Sequence, residues 1–286
     1  MTAVAARAPA KLNLFLHILG RRPDGYHELQ TIFQLIDLCD EVHVEATDDG
    51  RIVRDPPPEG VLANLPEEQD LTVRAARLLQ SVLRERGGAV PGARVHVTKR
   101  IPAGGGLGGG SSDAATTLRL LNRAWNVGLD RDALCRLGLQ LGADVPFFVL
   151  GRNAWGEGRG ERLTPLSLPS RWFVVVNPGV AVGTAAVFAD AELTRDTPPL
   201  TMPAHAAAWL RTARLRNDCE RVVRRRHPEV AAALDDLGRH AEARLTGTGG
   251  CVFASFEDEA AARTVAARLD PRWQVVTVAG RDAASD

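Results

Sequence analysis

The chain has no excess of charge of either sign: 35 lysines and arginines stand against 35 aspartates and glutamates, a formal net charge of zero. A basic face of the kind that holds nucleic acid is therefore not implied. No run reaches the ~18 consecutive apolar residues that a membrane helix needs. The apolar stretch from Met1 to Ala10 is too short for the core of a secretory leader, so a cytoplasmic protein is expected. Cysteine is sparse as well. Cys39, Cys135, Cys219 and Cys251 lie far apart and never form a C-x-x-C pair, which points away from a disulfide framework and from a Cys/His metal cluster. Arginine far outnumbers lysine, tyrosine occurs once, at Tyr26, and neither an internal repeat nor a low-complexity tract is visible. What remains is an ordinary globular balance, with 45% hydrophobic residues over 286 positions. At about 150 residues per domain, that length suggests two domains.

Glycine, by contrast, is concentrated. Pro102 to Asp113 reads Pro-Ala-Gly-Gly-Gly-Leu-Gly-Gly-Gly-Ser-Ser-Asp. Before it, Val95, Val97, Lys99 and Ile101 alternate with His96, Thr98 and Arg100, the period of a half-buried strand. After it, Ala114, Leu118, Leu121 and Trp125 trace one stripe of an amphipathic helix. A glycine run between a strand and a helix is a phosphate cradle: the backbone can turn through positive φ, bring bare N–H groups to an anion and set it at the helix N-terminus. Ser111 and Ser112 are expected to cap that helix. A flexible Gly/Ser linker is the plainer alternative, but such linkers seldom join a strand directly to a helix. A P-loop is excluded because Ser111 occupies the position its lysine requires. Gly104, Gly106 and Gly109 match G-x-G-x-x-G, yet no second strand ending in an acidic residue follows about 20 positions on, so a dinucleotide fold is poorly supported.

Elsewhere, Ala10 to Ile18 alternates, with Lys11, Asn13, Phe15 and His17 on one face and leucines and isoleucine on the other. A turn at Gly20 to His27 leads to a strand at Leu29 to Leu38, and a further strand spans Glu41 to Ala46. The Pro56-Pro57-Pro58 segment reads as an exposed loop. A helix is expected from Asp70 to Arg86 and another from Arg131 to Leu141. Asp144 follows, either as a helix cap or turn residue or as a general base, and Phe147 to Leu150 reads as a short buried strand. Ala154 to Glu161 reads as a glycine-rich crossing and Trp172 to Asn177 as an apolar strand. Beyond a proline-rich connection come a basic helical stretch, Ala206 to Arg226, and a helix at Pro228 to Ala243. A glycine turn at Thr246 to Gly250, a strand at Cys251 to Phe256, a helix at Asp258 to Leu269 and a strand at Trp273 to Val278 complete the chain. That last order suggests an α+β sandwich.

Five stretches taken together resemble the GHMP kinases, small-molecule kinases named for galactose, homoserine, mevalonate and phosphomevalonate. They are Ala8-Pro-Ala-Lys11-Leu-Asn13, Arg22-Pro-Asp-Gly-Tyr26-His27, the loop itself, Leu141-Gly-Ala-Asp144-Val-Pro-Phe-Phe, and Leu245-Thr-Gly-Thr-Gly-Gly250. The resemblance covers nearly the whole chain. It implies an α+β, two-domain GHMP-kinase fold, with an N-terminal nucleotide-binding α/β domain at 1–160 and a C-terminal α+β sandwich at 161–286 on the substrate side. It further implies ATP as phosphoryl donor and Mg2+ from the reaction class. The acceptor implied is a small molecule, cytidine-diphosphate methylerythritol, phosphorylated on its 2-hydroxyl in non-mevalonate isoprenoid biosynthesis, with no obligate protein partner.

Residue by residue, Lys11 and Asp144 match the family's catalytic pair, the carboxylate taking the hydroxyl proton and the ammonium orienting it. Pro102, Ala103, Gly104, Gly105, Gly106, Leu107, Gly108, Gly109, Gly110, Ser111 and Ser112 match the ATP loop, with Lys99 and Asp70 beside the nucleotide. Tyr26 and His27 match the cytidine pocket, where a ring can stack on the base and an imidazole can bond its edge. Asn13, Phe33, Thr184 and Phe188 match further substrate-lining positions. No metal ligand of this chain is assigned. Asp70, Gly250 and Trp155 stand where relatives often carry asparagine, alanine and a small residue. A kinase for another alcohol, and a nucleotide-binding protein without catalysis, remain the alternatives. Tyr26-His27 argues against the first, and the intact Lys11 and Asp144 argue against the second.

Overall fold

A computed structural model describes residues 3–55, 63, 65–212 and 215–284. The proline run at 56–58 lies outside the described residues. Two very long strands open the chain, β1 (Ala3–Arg21) and β2 (His27–Thr47), paired antiparallel along most of their length. The break expected between Leu38 and Glu41 does not occur. Asp40 looks like a strand-ending charge, but its side chain is fully buried and accepts from the backbone N–H groups of Arg100 and Ile101, so the strand runs through it. The register against β1 shifts between Pro9 and Ala10, which face this point.

The remaining elements follow in order: β3 (Ile52–Arg54), α1 (Leu71–Glu85), β4 (Gly92–Thr98), α2 (Gly109–Ala124), α3 (Arg131–Gly138), α4 (Val145–Leu150), β5 (Ala154–Gly158), β6 (Arg162–Pro165) and β7 (Trp172–Asn177). After them come α5 (Thr184–Phe188), α6 (Ala206–Thr212), α7 (Glu220–Arg226), α8 (Pro228–Gly238), β8 (Arg244–Leu245), β9 (Val252–Phe256), α9 (Glu259–Ala266) and β10 (Gln274–Arg281). The supposed crossing at 154–161 is therefore a strand, β5, bonded to β2 at Leu29 to Phe33, followed by the turn at 159–161 into β6. The basic stretch is not one helix: α7 starts only after Asn217 and Asp218, whose side chains are turned inward and buried. Phe147 to Leu150 is the other correction, since these residues belong to helix α4. Pro146 in its first turn has φ preset for a helix and lacks only an N–H that would be unbonded there anyway.

β2 organises the sheet. It bonds β1 on one side and, in succession along the other, β5, β10 and β4, so its 21 residues span both halves of the molecule. Helices α1 to α4 cover the N-terminal half over a core that includes Phe33, Leu35, Val73, Leu79, Leu118 and Phe147. Helices α7 to α9 cover β7 and β9 over a second core containing Val174, Val176, Val222 and Leu234. Between them a third cluster, with Leu12, Phe15, Ile32, Trp155, Phe173 and Phe253, joins the halves. This is the α+β, two-domain arrangement. No helix among the described residues is long and apolar enough to cross a membrane.

Candidate active site

The glycine loop is pinned from three sides. Lys11 N donates to Leu107 O at 3.0 Å, Cys251 N to Gly105 O at 2.9 Å, and Val182 N to Gly104 O at 3.3 Å. Close approach leaves no room for side chains. A Cβ on Gly106, whose φ is +75°, would sit 2.2 Å from the carbonyl oxygen of Thr246. The loop ends in α2, but Ser111 and Ser112 are not its caps. The cap position is Gly108, left-handed at φ 72°, and no side chain bonds the first N–H groups. Those donors stay open, as an anion-binding helix end requires.

Beneath the loop, β1 carries Lys11 into a cavity of about 620 Å³. Its Nζ donates to Asn13 Oδ1 and, at 2.8 Å, to Gly106 O, and lies 3.6 Å from Asp144 Oδ2. Burial pushes the Lys11 ammonium below the ordinary lysine value, against the supporting charge of Asp144. Asp144 occupies the cap position of α4, yet its carboxylate makes no capping bond, so the structural role open to it from sequence is not the one it fills. Its side chain is about a third exposed, at 33%, and lines the cavity opposite Lys11.

A second lysine lines the same cavity. Lys99 Nζ bridges two carboxylates, Asp40 and, at 2.7 Å, Asp113 of α2. Burial, and the charge of Asp40 beside it, push the Asp113 carboxyl up to about 7 against the pull of Lys99.

Two family models match the chain, the N-terminal domain of GHMP kinases over residues 70–152 and the C-terminal domain over 202–274. A protein of Halorhodospira halophila named 4-diphosphocytidyl-2-C-methyl-D-erythritol kinase is 55% identical over 269 residues, 93% of this chain and 89% of that one. A protein of the same name from Alkalilimnicola ehrlichii is 57% identical over 267 residues, 93% of this chain and 87% of its own. The chain belongs to the GHMP kinases. A crystal structure of 4-(cytidine 5'-diphospho)-2C-methyl-D-erythritol kinase superposes with a TM-score of 0.80 at 34% identity, covering 97% of this chain and all of the other. A mevalonate kinase structure shares the fold at a TM-score of 0.65 and 14% identity.

In this GHMP kinase, the cavity wall takes in most of the residues singled out from sequence. Pro102 through Ser111, Lys99, Asp70, Asn13, Phe33, Thr184 and Phe188 all line it with Lys11 and Asp144. Ser112 does not; it is fully buried and its Oγ has no partner. Asp70 reaches the wall, but its carboxylate is spent on capping α1, accepting from Thr72 N at 2.9 Å. His27 and Tyr26 sit just outside. His27 stacks on Phe188, centroids 5.0 Å apart, and its Nε2 accepts from Arg195 Nε at 3.0 Å, which puts any ring proton on Nδ1. Burial and the Arg195 charge hold the imidazole below its ordinary value, hence neutral. Tyr26 is 54% exposed and lies under the Arg159 guanidinium at 4.5 Å.

Sequence reasoning missed Arg159, Asp40 and the supports of the third glycine turn. Asn217 Nδ2 donates to Leu245 O and Gly247 O, and Thr246 Oγ1 accepts from Asn13 N at 3.0 Å, fastening that turn beside Lys11. The inward-facing Asn217-Asp218 pair, polar residues interrupting a helical pattern, was the one signal available for these supports. Of the family departures, Trp155 is a core residue, 1% exposed. Gly250 has φ +88°, and an added Cβ would lie 2.5 Å from Gly104 O.

Proposed function

We propose that this chain transfers the γ-phosphoryl group of ATP to the 2-hydroxyl of 4-diphosphocytidyl-2-C-methyl-D-erythritol, giving the 2-phosphate and ADP, in non-mevalonate isoprenoid biosynthesis. The observation that carries the reading is one cavity lined by the pinned glycine loop, the Lys11–Asp144 pair and Phe188, with the His27 ring stacked on Phe188 just outside it. Its relatives by sequence bear the name of that kinase over nearly their full lengths.

In this reading the loop N–H groups and the open end of α2 hold the ATP phosphates. Asp144 accepts the proton of the acceptor hydroxyl as it attacks in line, and the Lys11 ammonium, held by Asn13 and Gly106, orients the hydroxyl and balances the charge developing on the transferred group. Tyr26, His27 and Phe188 take the cytosine. A neutral imidazole with its proton on Nδ1 is a donor suited to the base edge.

Mg2+ would be held mainly by the phosphates of the nucleotide. Among the described residues no cluster of three or more His, Cys, Asp or Glu could form a protein-built cage. The donors present do fit an ion that keeps its waters and binds mainly through phosphates. The hydroxyl of Ser111, on the wall, is the oxygen the chain would add. When bound, the ion would supply charge neutralisation at the nucleotide phosphates.

ADP release measured with cytidine-diphosphate methylerythritol, mevalonate and homoserine tests the proposal. Turnover should appear with the first acceptor alone. Equal or better turnover of mevalonate or homoserine would refute it.

A further inference from the structure

Three cationic side chains line the cavity among the described residues: Lys11, Lys99 and Arg159. They differ in how far their charge is already answered. Lys99 sits between two carboxylates. Lys11 is 3% exposed and faces Asp144. Among the described residues Arg159 has only Glu161 in ion-pair range, at 4.0 Å, the outer limit of such a contact, with the exposed Asp24 a weaker electrostatic neighbour. Moreover, Glu161 Oε2 is already taken by the backbone N–H of Arg159 itself.

The turn between β5 and β6 explains why Arg159 stands where it does. It is flanked by Gly158 and Gly160 at φ +72° and +107°, conformations that a side chain would strain. A Cβ on Gly158 would come within 2.7 Å of the Glu161 carboxylate. The pair of glycines tightens the turn and sets Arg159 at its tip, with its guanidinium over the Tyr26 ring and 25% of its side chain exposed.

We infer that Arg159 selects a diphosphate-bearing acceptor, its guanidinium engaging the acceptor's diphosphate once the base is stacked at Tyr26. The inference rests on the acceptor assigned under Proposed function. A nucleoside diphosphate ester carries one negative charge on each phosphate. Its base and its charge are separated by a single ribose, so a base stacked on Tyr26 brings the diphosphate within reach of the cation that lies on the same ring. Guanidinium is the cation whose planar fork of donors matches two phosphate oxygens at once. Lys11 and Lys99, held by their carboxylates deeper in the cavity, cannot serve this end of it.

Competition against the acceptor at saturating ATP tests the idea, with CDP and cytidine as probes on the wild type, Arg159→Met and Arg159→Lys. In the wild type CDP should compete about 10- to 100-fold better than cytidine, the range expected for bonds to a charged partner. Arg159→Met should bring the two within about threefold and raise the acceptor KM by the factor lost, while KM for ATP and kcat at saturating acceptor stay unchanged. Arg159→Lys, which keeps charge but not the fork, should restore part of the preference. If Arg159→Met keeps the full preference for CDP, Arg159 is not the diphosphate group. If neither CDP nor cytidine competes in the wild type, the acceptor assignment itself fails, and this inference with it.

Discussion

The chain contains two lysines, Lys11 and Lys99, and both line the same cavity. Their surroundings push them in opposite directions. Lys11 has one carboxylate at 3.6 Å and otherwise neutral acceptors, so burial dominates and its ammonium is held less tightly than usual. Lys99 is also desolvated, but two carboxylates outweigh that, and its proton is held more tightly than usual. The difference shows that the number of opposing charges within reach decides whether a buried lysine is poised or locked. A poised ammonium with a half-open carboxylate suits a reacting hydroxyl. A locked one fastens β4 and α2 to the buried Asp40 at the base of the glycine loop.

The sharpest way to break the comparison is at Asp144. Asp144→Asn should lower kcat by about 10²–10⁴-fold with little change in acceptor KM, because the amide keeps the shape but cannot accept a proton. Lys11→Ala should fall in the same direction, and the double variant should be hardly worse than either single one if the two act as a unit. Single-turnover phosphorylation measures all three, and a wild-type rate in the Asn variant would take Asp144 out of the mechanism.

Lys99→Met should act on stability instead. It leaves Asp40 and Asp113 buried together without their cation, a loss of about 3 kcal/mol where both are ionised. Urea melts should show the larger loss at pH 8 and a smaller one at pH 6, where Asp113 takes up a proton. Equal losses at both pH values would contradict the bridge.

The alkaline limb of kcat/KM, which reports groups of the free enzyme, offers a smaller effect. The Lys11 pKa lies below its ordinary 10.5, so a reaction that needs the ammonium should decline as pH rises through that lowered value, before a free lysine would titrate. A limb at or above the ordinary lysine value would argue against Lys11 acting as a cation.

The smallest expected effect is that of Asp113→Asn. The folded carboxyl titrates near 7, above its ordinary 3.8, so its contribution to stability is present at low pH and is lost as pH rises through 7. Relative to the wild type, the Asn variant should therefore gain stability between pH 6 and pH 8. A pH-independent difference in urea midpoints would place the titration elsewhere.

Much of the site was legible because it depends on local chemistry. Six glycines between an alternating run and an amphipathic run identify a cradle whatever the rest of the chain does, since positive φ and bare backbone are properties of the residues themselves. The helix after Asp70 was equally readable, but not that the Asp70 carboxylate, expected beside the nucleotide, is spent on capping it. Tyr26 and His27 could be read as neighbours, but not that one lies exposed under an arginine and the other is packed against Phe188.

By itself, then, the sequence determined the glycine cradle, the strand that carries Lys11, helix α1 and the family, because periodicity and turn chemistry act over a few residues. Phe147 to Leu150, too short to show either period, coil rather than extend because Pro146 favours a helix start and their side chains pack into the N-terminal core. Tertiary structure alone carried β2 through Asp40, by bringing two backbone donors from Arg100 and Ile101 to a carboxylate sixty residues away in the chain. It alone made Lys11 and Lys99 opposites and set Arg159 over Tyr26. Desolvation and Coulomb attraction depend on which groups meet in space, and those groups are brought together only when the sheet closes.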